Sequence, residues 1–107
     1  MLYEYRRYRA VPGRLPDLNR RFRDTTVKLF AKHGIEQVGF WEAVVGQTNE
    51  LHYILRWPDM AERERRWSAF AADPEWLSAK AASEANGELV DHIVNSFWRP
   101  TDYSAMT

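Results

Sequence analysis

Residues 2–9 alternate in chemistry with a period of two. Glu4, Arg6 and Tyr8 fall on one face of an extended strand and Tyr3 and Tyr5 on the other. This predicts a first strand from Leu2 to Val11, ended by Pro12-Gly13. From Arg14 the apolar positions become Leu15, Leu18, Phe22, Leu29 and Phe30, with Arg20, Arg21, Arg23, Asp24, Lys28 and Lys32 between them, the spacing of an amphipathic helix. His33-Gly34 ends that helix, with Gly34 at the C′ position and Lys32 and His33 near the negative end of its dipole. Ile35 to Val45 is rich in β-branched and aromatic residues. Gly46-Gln47-Thr48-Asn49 forms a hairpin turn, Leu51 to Trp57 a third strand, and Pro58-Asp59 closes it.

A second helix is expected from Met60 to about Ala72. Met60, Trp67, Phe70 and Ala71 lie on its apolar side, and the charge run Glu62 to Arg66 forms a solvated face. Asp73-Pro74-Glu75 reads as an N-cap followed by Pro at N1, starting a further helical turn. That helix turns Trp76, Leu77 and Ala81 inward and fades near Asn86-Gly87. Glu88 to Trp98 is the last strand, stopped by Arg99-Pro100. The order β-α-β-β-α-β predicts an α+β, ferredoxin-like domain over residues 1–107, a four-stranded antiparallel sheet with its helices on one face.

Such a sheet has a second face to account for. Several of Trp41, Val38, Phe40, Tyr53, Leu55 and Trp57 must lie on it, and an apolar patch of that size marks an interface or a groove. Two sheets packed face to face would cover it, so the expected assembly is a homodimer, a dimeric α/β barrel with a cavity in each protomer or at the shared centre. In that arrangement the Glu4, Arg6, Tyr8 face turns away from the helices, because Tyr3 and Tyr5 are the better helix-packing partners.

Composition narrows the function. The 107 residues are 45% hydrophobic, 28% charged and 14% aromatic, and the 15 basic and 15 acidic residues cancel. A neutral chain argues against nucleic acid or an anionic membrane as the main partner. Cysteine is absent, which excludes disulfides, thiolate zinc sites and a cysteine nucleophile. There is no apolar leader and no run of transmembrane length, so the default location is cytoplasmic. The phosphate-cradling glycine loop, the dinucleotide fingerprint and the nucleophile elbow are missing.

The chain resembles the NIPSNAP proteins over nearly its whole length. Tyr3-Glu4-Tyr5-Arg6-Arg7-Tyr8 with Pro12-Gly13-Arg14-Leu15 is similar to the family's opening strand and turn. Val38-Gly39-Phe40-Trp41 resembles its second strand, and Gly46 with Asn49 the turn after it. Arg63-Glu64-Arg65-Arg66 leading to Ala71-Ala72-Asp73-Pro74-Glu75-Trp76 is the most specific match, and Arg99-Pro100-Thr101-Asp102-Tyr103-Ser104 is similar to the closing segment. One departure is that Tyr53 and Leu55 stand where the family commonly has a His and then a Trp. The resemblance implies a dimeric α/β-barrel domain akin to small cofactor-free monooxygenases and related pocket proteins, without a settled activity.

The candidate cavity residues are Glu4, Arg6, Tyr8, Trp41, Tyr53 and His92. Arg6 would bind a carboxylate or enolate, Glu4 would orient Arg6 or move a proton, and Tyr8 would donate a hydrogen bond. Against this stands a Glu4–Arg6 pair that satisfies itself and only holds the structure. His33 reads as a helix C-terminal residue. His52 and His92 lack the close partners of a metal site, so no metal and no cofactor is expected. Two functions remain open: a protein, or cofactor-independent oxygenase or isomerase, that takes a small hydrophobic carbonyl or phenol ligand; and a non-catalytic homodimeric interaction or scaffold module.

Overall fold

The computed structural model describes residues 1–107. Four strands, β1 (Leu2–Ala10), β2 (Glu36–Glu42), β3 (Glu50–Trp57) and β4 (Val90–Trp98), form one sheet in the order β2-β3-β1-β4. All neighbouring pairs are antiparallel. Between β1 and β2 the chain runs through α1 (Leu15–Arg21), one π-helical turn (Phe22–Thr26) and α2 (Val27–Lys32). α3 (Met60–Ala71) and α4 (Pro74–Ser83) lie between β3 and β4. This is the expected ferredoxin-like plan. No helix is long and apolar enough to cross a membrane.

The helix ends follow from local chemistry. Gly34 takes φ +70°, and the Ile35 and Gly34 amides donate to the Phe30 and Ala31 carbonyls, a Schellman cap. Asp59 caps α3 by accepting from the Glu62 amide. Asp73 caps α4 by accepting from the Glu75 amide, and Pro74 occupies the first turn. Asp73 also accepts from Lys32 Nζ at 2.8 Å and lies 2.7 Å from His33 Nε2, which pins the end of α2 to the start of α4. The Lys32 and His33 hydrogen bonds hold the Asp73 carboxyl well below the usual carboxylate range.

Two details differ from what the sequence suggests. β2 stops at Glu42, opposite Leu51, and leaves Val44 and Val45 in solvent. α4 presents no fully buried residue. Leu77 and Ala81, expected to point inward, are exposed, while Trp76 carries the packing.

The core lies between the sheet and the helices. Leu18, Phe22, Leu29 and Phe30 from the first helical segment meet Leu51, Tyr53, Leu55 and Trp57 of β3, with Phe70 of α3 closing one end. Register then decides the faces. Glu4, Arg6 and Tyr8 pair with Leu55, Tyr53 and Leu51, so this row faces the helices. That reverses the expected orientation. Tyr3 and Tyr5 turn to the open face, where their rings are covered and their hydroxyls are bonded. Tyr3 donates to the Thr107 carbonyl, and the Tyr5 hydroxyl lies 2.7 Å from His52 Nδ1. The open face is consequently poorer in large apolar groups than expected: Phe40, Tyr53, Leu55 and Trp57 pack on the helix side, and Trp41 stays outside. A diagonal of flat rings, Trp41, His52, Tyr5 and Trp98, crosses all four strands there, with Tyr5 stacked on both His52 and Trp98.

Candidate functional site

The acid of the first strand is the hub of a buried polar cluster. Glu4 is 0% exposed and its carboxylate accepts five hydrogen bonds. They come from Arg6 Nη1 at 2.7 Å, Arg63 Nη2 and Nε at 3.0 and 3.1 Å, Asn95 Nδ2 at 3.0 Å and Trp57 Nε1 at 3.2 Å. Burial opposes ionisation of Glu4, but the bonds from Arg63, Asn95 and Arg6 outweigh it and leave its pKa below the ordinary value. Arg6 continues the chain. Its Nη2 donates to the Tyr8 hydroxyl at 3.3 Å, which lies 2.9 Å from that of Tyr53. Its guanidinium sits 4.4 Å from the centre of the Trp67 indole. Burial works against the charge on Arg6, yet the neighbouring phenols of Tyr53 and Tyr8 and the bond to Glu4 raise its pKa overall.

Either phenol can donate in the bond between Tyr8 and Tyr53. Tyr53 is wholly buried, and burial, then the neighbouring Tyr8, push its pKa well above 10.0. With Tyr53 as the donor, its buried O–H is satisfied by the Tyr8 oxygen, which then accepts from both Arg6 and Tyr53 and has both lone pairs filled. In that arrangement the Tyr8 proton has no acceptor in the protein.

Tyr8 stands in the wall of a cavity of about 530 Å³ between the sheet and the helices, within the range of small-molecule sites. Phe22, Phe30, Trp67, Phe70 and Trp76 form its aromatic walls. The mouth lies along β4, an edge strand where the helix layer leaves Ile93 47% exposed. The π turn contributes Phe22 and Thr26 to the lining, with Arg21 immediately before it; such turns are frequent at functional sites. No three His, Asp or Glu side chains are grouped to hold a metal ion.

The residues singled out from sequence divide accordingly. Tyr8 lines the cavity; His92 borders it on the edge strand, but it pairs with Arg9, in phase with the open face. Tyr53, Arg6 and Glu4 sit behind that wall as one bonded relay, so Arg6 is not free to meet a ligand directly. Trp41 is on the opposite side of the sheet, 49% exposed, and belongs to no part of this site. Arg63, Asn95 and Trp57 were not anticipated as partners of Glu4. Arg63, grouped with the solvated charge run, lies with its side chain 13% exposed against Glu4. A signal for it was present: Arg63, Trp67 and Phe70 are spaced i, i+4, i+7 and share one helix face.

Residues 3–105 match the sequence model of the NIPSNAP family. The chain belongs to the NIPSNAP family. Among solved NIPSNAP structures, Atu4242 of Agrobacterium tumefaciens is 27% identical, superposes with a TM-score of 0.88 and is covered over 100% of both chains; it is a family protein with unknown function. An uncharacterised NIPSNAP domain protein from Burkholderia xenovorans is 22% identical over 97% of this chain and 98% of its own, with a TM-score of 0.84. The NIPSNAP fold extends to an antibiotic biosynthesis monooxygenase, 13% identical, with a TM-score of 0.64 over 94% of this chain and 99% of that one. No curated protein matches this NIPSNAP chain in sequence.

Proposed function

We propose that this NIPSNAP protein binds a small, flat, apolar ligand in the cavity between sheet and helices, with Tyr8 donating a hydrogen bond to a carbonyl or phenol oxygen of that ligand. The observation that carries this reading is Tyr8, a cavity-lining residue whose hydroxyl is bonded to Arg6 and Tyr53; with Tyr53 as donor, the Tyr8 proton is left for a group in the cavity. The Arg6 charge behind Tyr8 favours negative charge on the ligand oxygen. That is the electrostatic requirement for enolate or phenolate chemistry, in which isomerisation or cofactor-independent oxygenation would proceed. The Glu4–Arg6 bond is what a scaffold module would also have; the unfilled space in front of Tyr8 favours the ligand reading.

The cavity is tested by titrating the protein with 2-naphthol and following tryptophan fluorescence, since Trp67 and Trp76 line it. Saturable quenching is expected. Tyr8→Phe should weaken binding by roughly tenfold, the value of one hydrogen bond. Ile93→Trp, which fills the mouth, should abolish it. No saturation with wild-type protein, together with native mass spectra free of any retained small molecule, would defeat the reading.

The open sheet face supports a homodimer. Its ring diagonal is flanked by charges already paired in sign, Arg7 with Glu50 and Arg56 with Glu36, so a second copy meets a neutral, flat surface and no net repulsion. Light scattering should give a dimeric mass, and Trp98→Glu should convert it to a monomer, because it removes one ring of the diagonal and buries an unpaired charge on that face. A monomeric wild type removes this proposal without touching the cavity.

A further inference from the structure

We infer that the ligand of this cavity carries a carboxylate that takes the unbonded Nη2 of Arg21, which makes the substrate class an aromatic or similarly flat apolar acid. This deepens the cavity reading and rests on it.

Arg21 is the last residue of α1, and its side chain is 5% exposed. Only Nη1 is engaged, with Ser83 Oγ at 3.2 Å and Glu84 Oε1 at 3.3 Å. Both are long for hydrogen bonds from a charged donor, which run at about 2.7–2.9 Å; the Arg6–Glu4 bond, at 2.7 Å, shows the difference. The buried Nε of Arg21 has no partner. Arg6, Arg7 and Arg56 also have an unpartnered Nε, but of these four arginines Arg21 alone lines the cavity. Its guanidinium lies 5.2 Å from the centre of the Trp76 indole, and that indole is a cavity wall. Its Nη2 makes no hydrogen bond within the protein and is left to donate to a carboxylate oxygen, whereas Nε is closed off.

The rest of the lining agrees with an acid whose body is apolar. Phe22, Phe30, Phe70 and Trp76 give the ring surface, and Lys80 supplies a second cation whose nearest carboxylate, Glu84, is 3.9 Å away. Of the acidic groups at the mouth, Asp91 is held by Arg9 at 2.9 Å and Glu84 by Arg21 and Lys80, while Glu88 carries no ion pair. A guanidinium whose Nη2 has no protein partner is stabilised by an anionic partner more than by a neutral one.

The experiment compares 2-naphthylacetate with its neutral isostere 2-naphthylacetamide by calorimetric titration of wild type, Arg21→Met and Arg21→Lys. Wild type should bind the acid at least about tenfold more tightly than the amide. Arg21→Met should bring the acid down to the affinity of the amide and leave the amide unchanged, and Arg21→Lys should restore part of the difference. Equal affinity of wild type for the two compounds overturns the carboxylate inference and leaves the cavity reading standing. A preference for the acid that survives in Arg21→Met overturns the assignment to Arg21 and transfers it to Lys80. Binding of neither compound by wild type overturns both readings. Circular dichroism reports whether the variants are folded, and the wild-type comparison decides the question if they are not.

Discussion

Glu4→Ala should destabilise the protein by about 3–5 kcal/mol, the cost of removing one partner from a buried ion pair. For a domain of this size that lowers the thermal midpoint by roughly 15 °C. The loss is large because the carboxylate is wholly buried and answers two guanidinium groups, an indole N–H and an amide. Without it, Arg6 and Arg63 face each other across a dry site. Glu4→Gln should recover only part of the stability, since its amide nitrogen turns one acceptor into a donor aimed at an arginine. Acid should act in the same direction. The Glu4 pKa is lower in the folded chain than the ordinary 4.5, so its stabilisation is fully present above that value and drains away as pH falls through the lower folded value. Urea midpoints measured between pH 7 and pH 3 should fall for wild type. The gap between wild type and Glu4→Ala should narrow over the same interval, and a constant gap would count against Glu4 being ionised in the native state.

Phe70→Ala should have a comparable cost, about 3–5 kcal/mol, by the loss of a buried aromatic and the void it leaves. Phe70 is 3% exposed and touches three helical elements through its ring. Ring centres lie 5.0 Å away at Phe30 of α2, 5.3 Å at Trp67 of its own helix and 4.9 Å at Trp76 of α4. Because α4 has no buried residue of its own, Trp76 on Phe70 is a main attachment of that helix to the body. Equilibrium unfolding in urea should show the loss, and the tryptophan emission of the folded variant should shift to the red as Trp76 meets water. An unchanged spectrum with full stability would mean that α4 is held by other contacts, chiefly the Lys32–Asp73–His33 pin.

Much of the architecture was legible in the sequence for reasons that are local. The switch from alternation at Tyr3–Tyr8 to helical spacing at Leu15–Phe30, the Gly34 cap and the Asp73-Pro74 start each depend on neighbours a few residues away. The orientation of β1 did not depend on neighbours. A strand bearing Glu4 and Arg6 turns inward only if the helix layer supplies a further cation, and Arg63 lies 59 positions along the chain. Within the run Arg63-Glu64-Arg65-Arg66 that residue has the composition of a solvated face, and only its phase with Trp67 and Phe70 separates it. Tyr8 and Tyr53 were recognised as candidates, but the bond between their hydroxyls requires the register that places β1 against β3. Arg21 was read as one of several charges on a helix surface. The π turn that follows it, which no apolar spacing announced, accompanies its placement at the cavity.

Gly39 governs how thick the open side of the sheet is. Nothing but hydrogen stands on its α-carbon, and the Trp41 indole lies over it so closely that a methyl group there would come within 2.9 Å of the ring. The indole is thereby laid down along β2. Sheets that pack on one another sit about 10 Å apart, and an upright tryptophan on each would wedge them. A residue with no side chain thus sets the clearance at which the proposed dimer could close, while the polar cluster and the cavity lie on the other side of the sheet.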